Sequence, residues 1–87
     1  MESALDQNYP NPFNPTTTIG YSVGAATHVV LKVYDLLGRE LMTLVDEEQI
    51  SGSYSVRFDA EVLASGVYLY RLQVGGFIQT RKMMLLR

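Results

Sequence analysis

The sequence VYLYRLQVGGFIQTRKMMLL, which runs from Val67 to Leu86, has the pattern of a β-hairpin. Its two halves suit β-strands, and the dipeptide Gly75-Gly76 between them is typical of a two-residue hairpin turn. The stretch therefore predicts two long antiparallel strands, over 67–74 and 77–86.

Shorter stretches upstream repeat the strand pattern. Tyr54, Val56 and Phe58 alternate with polar residues, which is typical of a strand with one buried face. Similar strands are predicted over 17–23 and 29–34. About seven short strands separated by turn signals predict an all-β fold, an antiparallel β-sandwich.

Three stretches between these strands are less regular. Residues 40–45 form a further strand, and their uneven apolar pattern predicts a bulge or an edge position. Residues 46–49 (Asp-Glu-Glu-Gln) are predicted to be a solvated acidic loop. Residues 59–64 are predicted to hold either a short strand or one turn of helix.

The sequence Leu63-x-x-Gly66-x-Tyr68 predicts a tyrosine corner. In Greek-key sandwiches a tyrosine near the start of a late strand bonds its hydroxyl to the backbone a few residues upstream. Gly66 would permit the turn and Tyr68 would tie it. The alternative is that Gly66 and Tyr68 form part of a recognition face.

The start of the chain is rich in proline and asparagine. Pro10, Pro12 and Pro15 fix their own φ angles and bias the preceding residues toward extended geometry. We therefore predict an extended segment over 1–16 that leads into a sandwich over 17–87, with Tyr9 and Phe13 available to pin the segment to the sandwich edge.

The amino-acid composition argues against several classes of function. The chain has no cysteine, a single histidine and a net charge of −2, so zinc chemistry, a thiol nucleophile and nucleic-acid binding by bulk charge are not expected. No catalytic motif, metal site or cofactor site is predicted, although the asparagines near the start leave a weak calcium site open. No transmembrane stretch and no signal peptide are predicted.

The motifs resemble the C-terminal sorting domain of proteins exported by the type IX secretion system of Bacteroidetes and related bacteria. The resemblance rests on boxes in a fixed order: QNYPNPFNP from Gln7, VYDLLGRE from Val33, GSY from Gly52, ASGVY from Ala64 and KMML from Lys82. The chain is also similar to the immunoglobulin-like domain of flagellar hook-capping proteins.

The resemblance implies an immunoglobulin-like sandwich that follows a larger parent protein. It implies a secreted or cell-surface location reached through the periplasm and outer membrane, with the outer-membrane secretion and sortase machinery as partner. Carried over by position, its recognition residues are Pro10, Asn11, Pro12, Gly66, Tyr68 and Lys82. We add Arg81 on charge grounds, because acidic groups that capture the last strand at a sheet edge would read Arg81 and Lys82 together.

Other readings stay open. Arg81 and Lys82 would also guard a sheet edge against aggregation, in a passive immunoglobulin-like spacer or protein-assembly module. Carbohydrate binding is a weaker alternative that would need exposed rings, for which Tyr9, Phe13, Tyr34 and Tyr70 are candidates. An open edge would also let two copies of the chain pair.

Overall fold

A computed structural model describes residues 2–87 and contains seven β-strands, with no helix among those residues. The predicted leading segment begins at residue 1, which lies outside the described residues. In chain order the strands are β1 (Ala4–Leu5), β2 (Thr16–Val23), β3 (Thr27–Tyr34), β4 (Glu40–Gln49), β5 (Gly52–Asp59), β6 (Gly66–Val74) and β7 (Phe77–Leu85).

The strands form two antiparallel sheets. The first has the order β1-β2-β5, and the second has the order β4-β3-β6-β7. This arrangement confirms the predicted all-β sandwich and is consistent with the immunoglobulin-like class. The last strand, β7, is therefore an edge strand of the second sheet.

The core lies between the two sheets and follows from strict alternation along the strands. In β3, for example, Val29, Leu31 and Val33 are fully buried while the residues between them are partly exposed. The fully buried side chains with the largest volumes are Tyr70, Phe58, Leu5, Ile19, Leu31, Leu72, Met83 and Leu85.

The prediction of an acidic loop at 46–49 is wrong. These residues belong to β4, and the backbones of Asp46, Glu47 and Glu48 pair with residues of β3. An edge strand tolerates such a charge run because its side chains face solvent, and charges there also discourage strand-to-strand aggregation. The predicted bulge and edge position are both confirmed, since the pairing register shifts twice along β4.

The hairpin prediction is confirmed. Val74 pairs with Phe77, so Gly75 and Gly76 make the two-residue turn, and Gly75 has a φ of 58°. A β-carbon is disfavoured at such a φ, which explains the glycine. Residues 60–64 form turns with no helical part.

The leading segment is partly built into the sandwich. Strand β1 pairs with β2 within the first sheet, and bends interrupt the segment at residues 10–12 and 14–15. The division into 1–16 and 17–87 stays a prediction.

Candidate functional site

The proline-rich segment, which we define as residues 7–13, lies along the outer edge of β7. The backbone N–H of Phe13 donates to the carbonyl of Met84 at 3.0 Å, and the N–H of Leu86 donates to the carbonyl of Phe13 at 3.0 Å. The two bonds form a parallel bridge between Phe13 and Leu85. The segment thus continues the second sheet by a short piece of parallel strand.

Side chains extend this contact along β7. The Asn11 side-chain oxygen accepts a hydrogen bond from the N–H of Met84 at 3.0 Å. The Gln7 side-chain amide donates to the carbonyl of Lys82 at 2.7 Å. Residues that are more than 70 positions apart in sequence are therefore bonded neighbours in the fold.

Phe13 fixes the end of the proline-rich segment. Its ring is 2% exposed and packs against Phe58, with 6.1 Å between the ring centroids. This confirms that Phe13 pins the segment to the sandwich. The same expectation for the Tyr9 ring is wrong, because Tyr9 is 81% exposed and only its backbone pairs, with Thr18.

A buried hydroxyl holds the start of the segment. The Tyr70 hydroxyl donates to the carbonyl of Asp6 at 2.7 Å and accepts from the N–H of Asn8 at 2.8 Å. Asn8 is itself buried, and its side-chain amide donates to the Thr17 hydroxyl at 3.0 Å. Burial raises the pKa of Tyr70, so the hydroxyl stays protonated and able to donate.

The predicted tyrosine corner is confirmed. The Tyr68 hydroxyl donates to the carbonyl of Ala64 at 2.6 Å. Gly66, between them, has a φ of 155°, a region that glycine enters most easily. The corner fixes the point where β6 begins, and with it the geometry of the β6–β7 hairpin.

The last residue braces the same corner from the other side. The Arg87 guanidinium donates to the carbonyls of Ala60 and Leu63, at 2.8 and 2.9 Å, and also to that of Glu61. The backbone N–H of Arg87 donates to the Ser65 hydroxyl at 3.0 Å. The turn before β6 is therefore tied to the residue that follows β7.

A groove of about 400 Å³ lies on the outer face of the second sheet, where β7 meets the proline-rich segment. We call it the Lys82 groove. Its polar groups are Asn11 and Lys82, and the rest of its lining is apolar. The lining residues are Asn11, Leu36, Val67, Lys82, Met83 and Met84.

The loop between β3 and β4 supplies one wall of the groove through Leu36. Asp35 stiffens this loop by accepting the backbone N–H groups of Leu37 and Arg39, each at 2.9 Å. These bonds, led by the one from the Arg39 backbone, lower the pKa of Asp35. The wall is thus held by a carboxylate that stays ionised at neutral pH.

A second, smaller hollow of about 190 Å³ adjoins the outer face, with Tyr34, Leu69 and Arg71 among its lining residues. The Arg71 guanidinium lies 5.0 Å from the centre of the Tyr34 ring and donates to the Tyr34 hydroxyl at 2.7 Å. Arg71 is therefore held against an aromatic ring, whereas Lys82 takes part in none of the four ion pairs among the described residues.

Arg81 and Lys82, which the sequence predicts to be recognised together, lie on opposite faces of β7. Successive strand residues point to opposite sides of a sheet. Lys82 is exposed on the outer face, while Arg81 is half-buried and donates to the carbonyl of Leu5 at 2.6 Å. Arg81 therefore ties β7 to β1, and the two residues are not presented together.

The predicted site residues fall into three groups. Asn11 and Lys82 meet at the groove, with the exposed Pro10 and Pro12 beside Asn11 in the chain. Gly66 and Tyr68 lie at the corner, and Arg81 lies at the junction with β1. The sequence does not reveal the buried contacts of Asn8, Thr17 and Tyr70, nor the contacts of Arg87 with the corner.

The aromatic residues offered for carbohydrate binding are mostly covered. Phe13 and Tyr70 are buried, and Tyr34 is partly exposed with Arg71 over its ring. Tyr9 is the one candidate of the four whose ring is largely exposed. A coplanar platform of rings does not form from these four residues.

Comparison with protein families gives one match. A family model described as a secretion system C-terminal sorting domain matches residues 7–86. The chain belongs to this family. No curated protein and no solved structure matches the chain.

Membership of this family indicates the general role and the location of the domain. The domain is a C-terminal sorting signal for type IX secretion. The protein that carries it is secreted or displayed at the cell surface by way of the outer membrane. Membership implies a parent protein and a secretion machinery, and domains of this family are in general non-catalytic. No helix in residues 2–87 is long and apolar enough to cross a membrane. Nor do these residues contain a cluster of three or more metal-binding side chains.

Proposed function

We propose that the outer-membrane type IX machinery recognises this sorting domain through the outer face of the β6–β7 hairpin, at the Lys82 groove. The observation that carries the proposal is the placement beside an apolar hollow of an exposed lysine that forms no ion pair within the described part of the chain. A carboxylate of the partner would pair with Lys82, and an apolar side chain would enter the hollow.

The chemistry of the groove favours a protein partner. Protein interfaces combine an apolar centre, which supplies affinity, with charges at the rim, which supply orientation and association rate. Leu36, Val67 and Met84 provide the apolar side chains of the groove, and the exposed methionine adapts its shape to different partners. Lys82 provides the charge at the rim.

The other predicted residues act as positioning residues in this proposal. Tyr68 and Gly66 hold the start of the hairpin through the corner. Pro10, Asn11 and Pro12 belong to the segment that covers the edge of β7, where Asn11 bonds Met84. Arg81 keeps β7 against β1. We infer too that the domain has no catalytic activity of its own, in keeping with its family.

The test is the export of a reporter. A reporter with a Sec signal peptide is fused to residues 5–87 and expressed in a bacterium that has the type IX machinery. Lys82→Glu reverses the charge at the groove, and Arg57→Glu makes the same change at an exposed position of β5 in the other sheet. We expect Lys82→Glu to leave the reporter in the periplasm and Arg57→Glu to be exported like the unchanged fusion.

Folding is checked separately, because exposed substitutions outside special sites usually change stability by less than about 0.5 kcal/mol. Both variants should melt within a few degrees of the parent domain. Equal export of the two variants would overturn the proposal for Lys82. Loss of export in both would assign the effect to net charge instead of to the groove.

A further inference from the structure

The outer edge of β7 has two halves that differ in their bonding. Antiparallel strands bond with alternate residues, and in β7 the even-numbered residues direct their backbone groups away from β6. From the Lys82 carbonyl to the Leu86 N–H these outward groups bond the proline-rich segment. For Ile78 and Thr80, no hydrogen bond of the outward N–H and C=O groups occurs within residues 2–87.

The bonded half shows what kind of ligand this edge accepts. The proline-rich segment lies on it as a chain with bends at residues 10–12 and makes one parallel bridge, between Phe13 and Leu85. Pro10 and Pro12 have no N–H, so the segment completes its contact with the side chains of Gln7 and Asn11. A chain without prolines would pair more fully with the same edge.

The open half is accessible. Ile78 is 57% exposed, and Thr80 and Lys82 are exposed as well. On the inner side Gln79 and Arg81 bond the backbone of Leu5, so β1 covers the space beneath the edge and leaves its outer side free. Unpaired backbone groups on an exposed edge are a ready template for one more strand.

We propose that the edge of β7 from Ile78 to Lys82 is a strand-binding site that takes an extended peptide segment of the outer-membrane secretion machinery. This inference rests on the proposed function and names how the partner is held. The peptide would continue the second sheet beside the proline-rich segment and end near Gln7. Its outer face would carry an apolar side chain next to Ile78 and a carboxylate next to Lys82.

The charges around the edge favour a peptide that carries an acidic residue rather than a basic one. Among residues 2–87 Lys82 takes part in no ion pair, while Arg81 lies on the opposite face and bonds Leu5. No acidic residue occurs between Phe77 and Leu86. Backbone bonds would supply most of the affinity, and alternate side chains would supply specificity, as in other cases of strand addition.

Amide hydrogen exchange tests the site on the unchanged chain. In the free domain the amides of Ile78 and Thr80 should exchange quickly, because they have no acceptor in the described residues 2–87. The amides of Gln79 and Arg81 are bonded to β6 and should exchange slowly. On addition of outer membranes that contain the type IX machinery, we expect the Ile78 and Thr80 amides to become slow. If the domain binds and these two amides remain fast, the inference is wrong.

A matched pair of variants tests the same site in cells. Thr80→Pro removes an outward N–H and leaves the ladder to β6 intact, since proline is accepted on an edge strand where its nitrogen faces solvent. Thr80→Val keeps the N–H and the branched shape. We expect the reporter with Thr80→Pro to stay in the periplasm and the one with Thr80→Val to be exported.

The two proposals fail in different ways. Export of Thr80→Pro at the level of Thr80→Val would overturn strand addition, while the Lys82→Glu result would still stand. If Thr80→Pro melts at a far lower temperature than Thr80→Val, its loss of export would reflect misfolding. The amide-exchange experiment on the unchanged chain then tests strand addition.

Discussion

The buried Tyr70 hydroxyl anchors the start of the proline-rich segment, and its removal should destabilise the domain. Tyr70→Phe removes one oxygen and leaves the ring, which is fully buried, in place. Two hydrogen bonds disappear, the one to the Asp6 carbonyl at 2.7 Å and the one from the Asn8 N–H at 2.8 Å. The Asn8 N–H then stays buried without its partner, since Asn8 is 2% exposed.

The expected cost follows from these contacts. A hydrogen bond contributes about 1 kcal/mol, and a buried donor left unpaired costs about 1–3 kcal/mol. We therefore expect Tyr70→Phe to lower the free energy of unfolding by about 2–3 kcal/mol. For a domain of this size that corresponds to a fall in melting temperature of about 10–20 °C.

The assay is thermal unfolding followed by circular dichroism, with urea unfolding as a second measure. Tyr9→Phe is the matched control, because Tyr9 is 81% exposed, so it should shift the melting temperature very little. Amide exchange should also speed up at Asn8 and Met84 in Tyr70→Phe, as the proline-rich segment loosens. A Tyr70→Phe melting temperature equal to that of Tyr9→Phe would refute the claim that this hydroxyl anchors the segment.

Three further predictions follow from single contacts. Tyr68→Phe loses the bond to the Ala64 carbonyl and should lower the free energy of unfolding, measured in urea, by about 1 kcal/mol. An unchanged urea midpoint would show that the tyrosine corner does not stabilise the domain. Phe13→Ala empties a buried site against Phe58 and should cost about 3–5 kcal/mol, and a cost below that of Tyr68→Phe would show that the ring is not packed. The hydrogen bond with Asp46 raises the pKa of His28 above its ordinary value of 6.5. Any stability that this contact adds is therefore present below pH 6.5 and is lost as the pH rises through the folded-state pKa. An NMR titration should give a His28 midpoint above 6.5 that falls in Asp46→Asn, and an unchanged midpoint would contradict the contact.

Much of the fold could be predicted because its signals are local. The Gly75-Gly76 turn and the alternation around Tyr54 and Phe58 depend on neighbours in sequence, and both are as predicted. The sequence does not distinguish a strand from a loop between Asp46 and Glu48, because an edge strand and a solvated loop both place charges in water.

The candidate site was only partly predictable. The period of two along a strand places Tyr70 on the same face as Tyr68 and separates Lys82 from Arg81, so this part was already readable in the sequence. The contact of Asn11 with Met84 was not, because it joins residues that are distant in sequence through a side-chain oxygen and a strand edge. No local pattern records such a contact.

We propose that the type IX machinery recognises this domain, and the location of a reporter fused to residues 5–87 tests this recognition most directly. The fusion is expressed in a bacterium with the machinery and in an otherwise identical strain that lacks it. We predict that the reporter appears outside the first strain and stays in the periplasm of the second. A folded domain that leaves the reporter in the periplasm of both strains would contradict the claim and favour a passive spacer or assembly module.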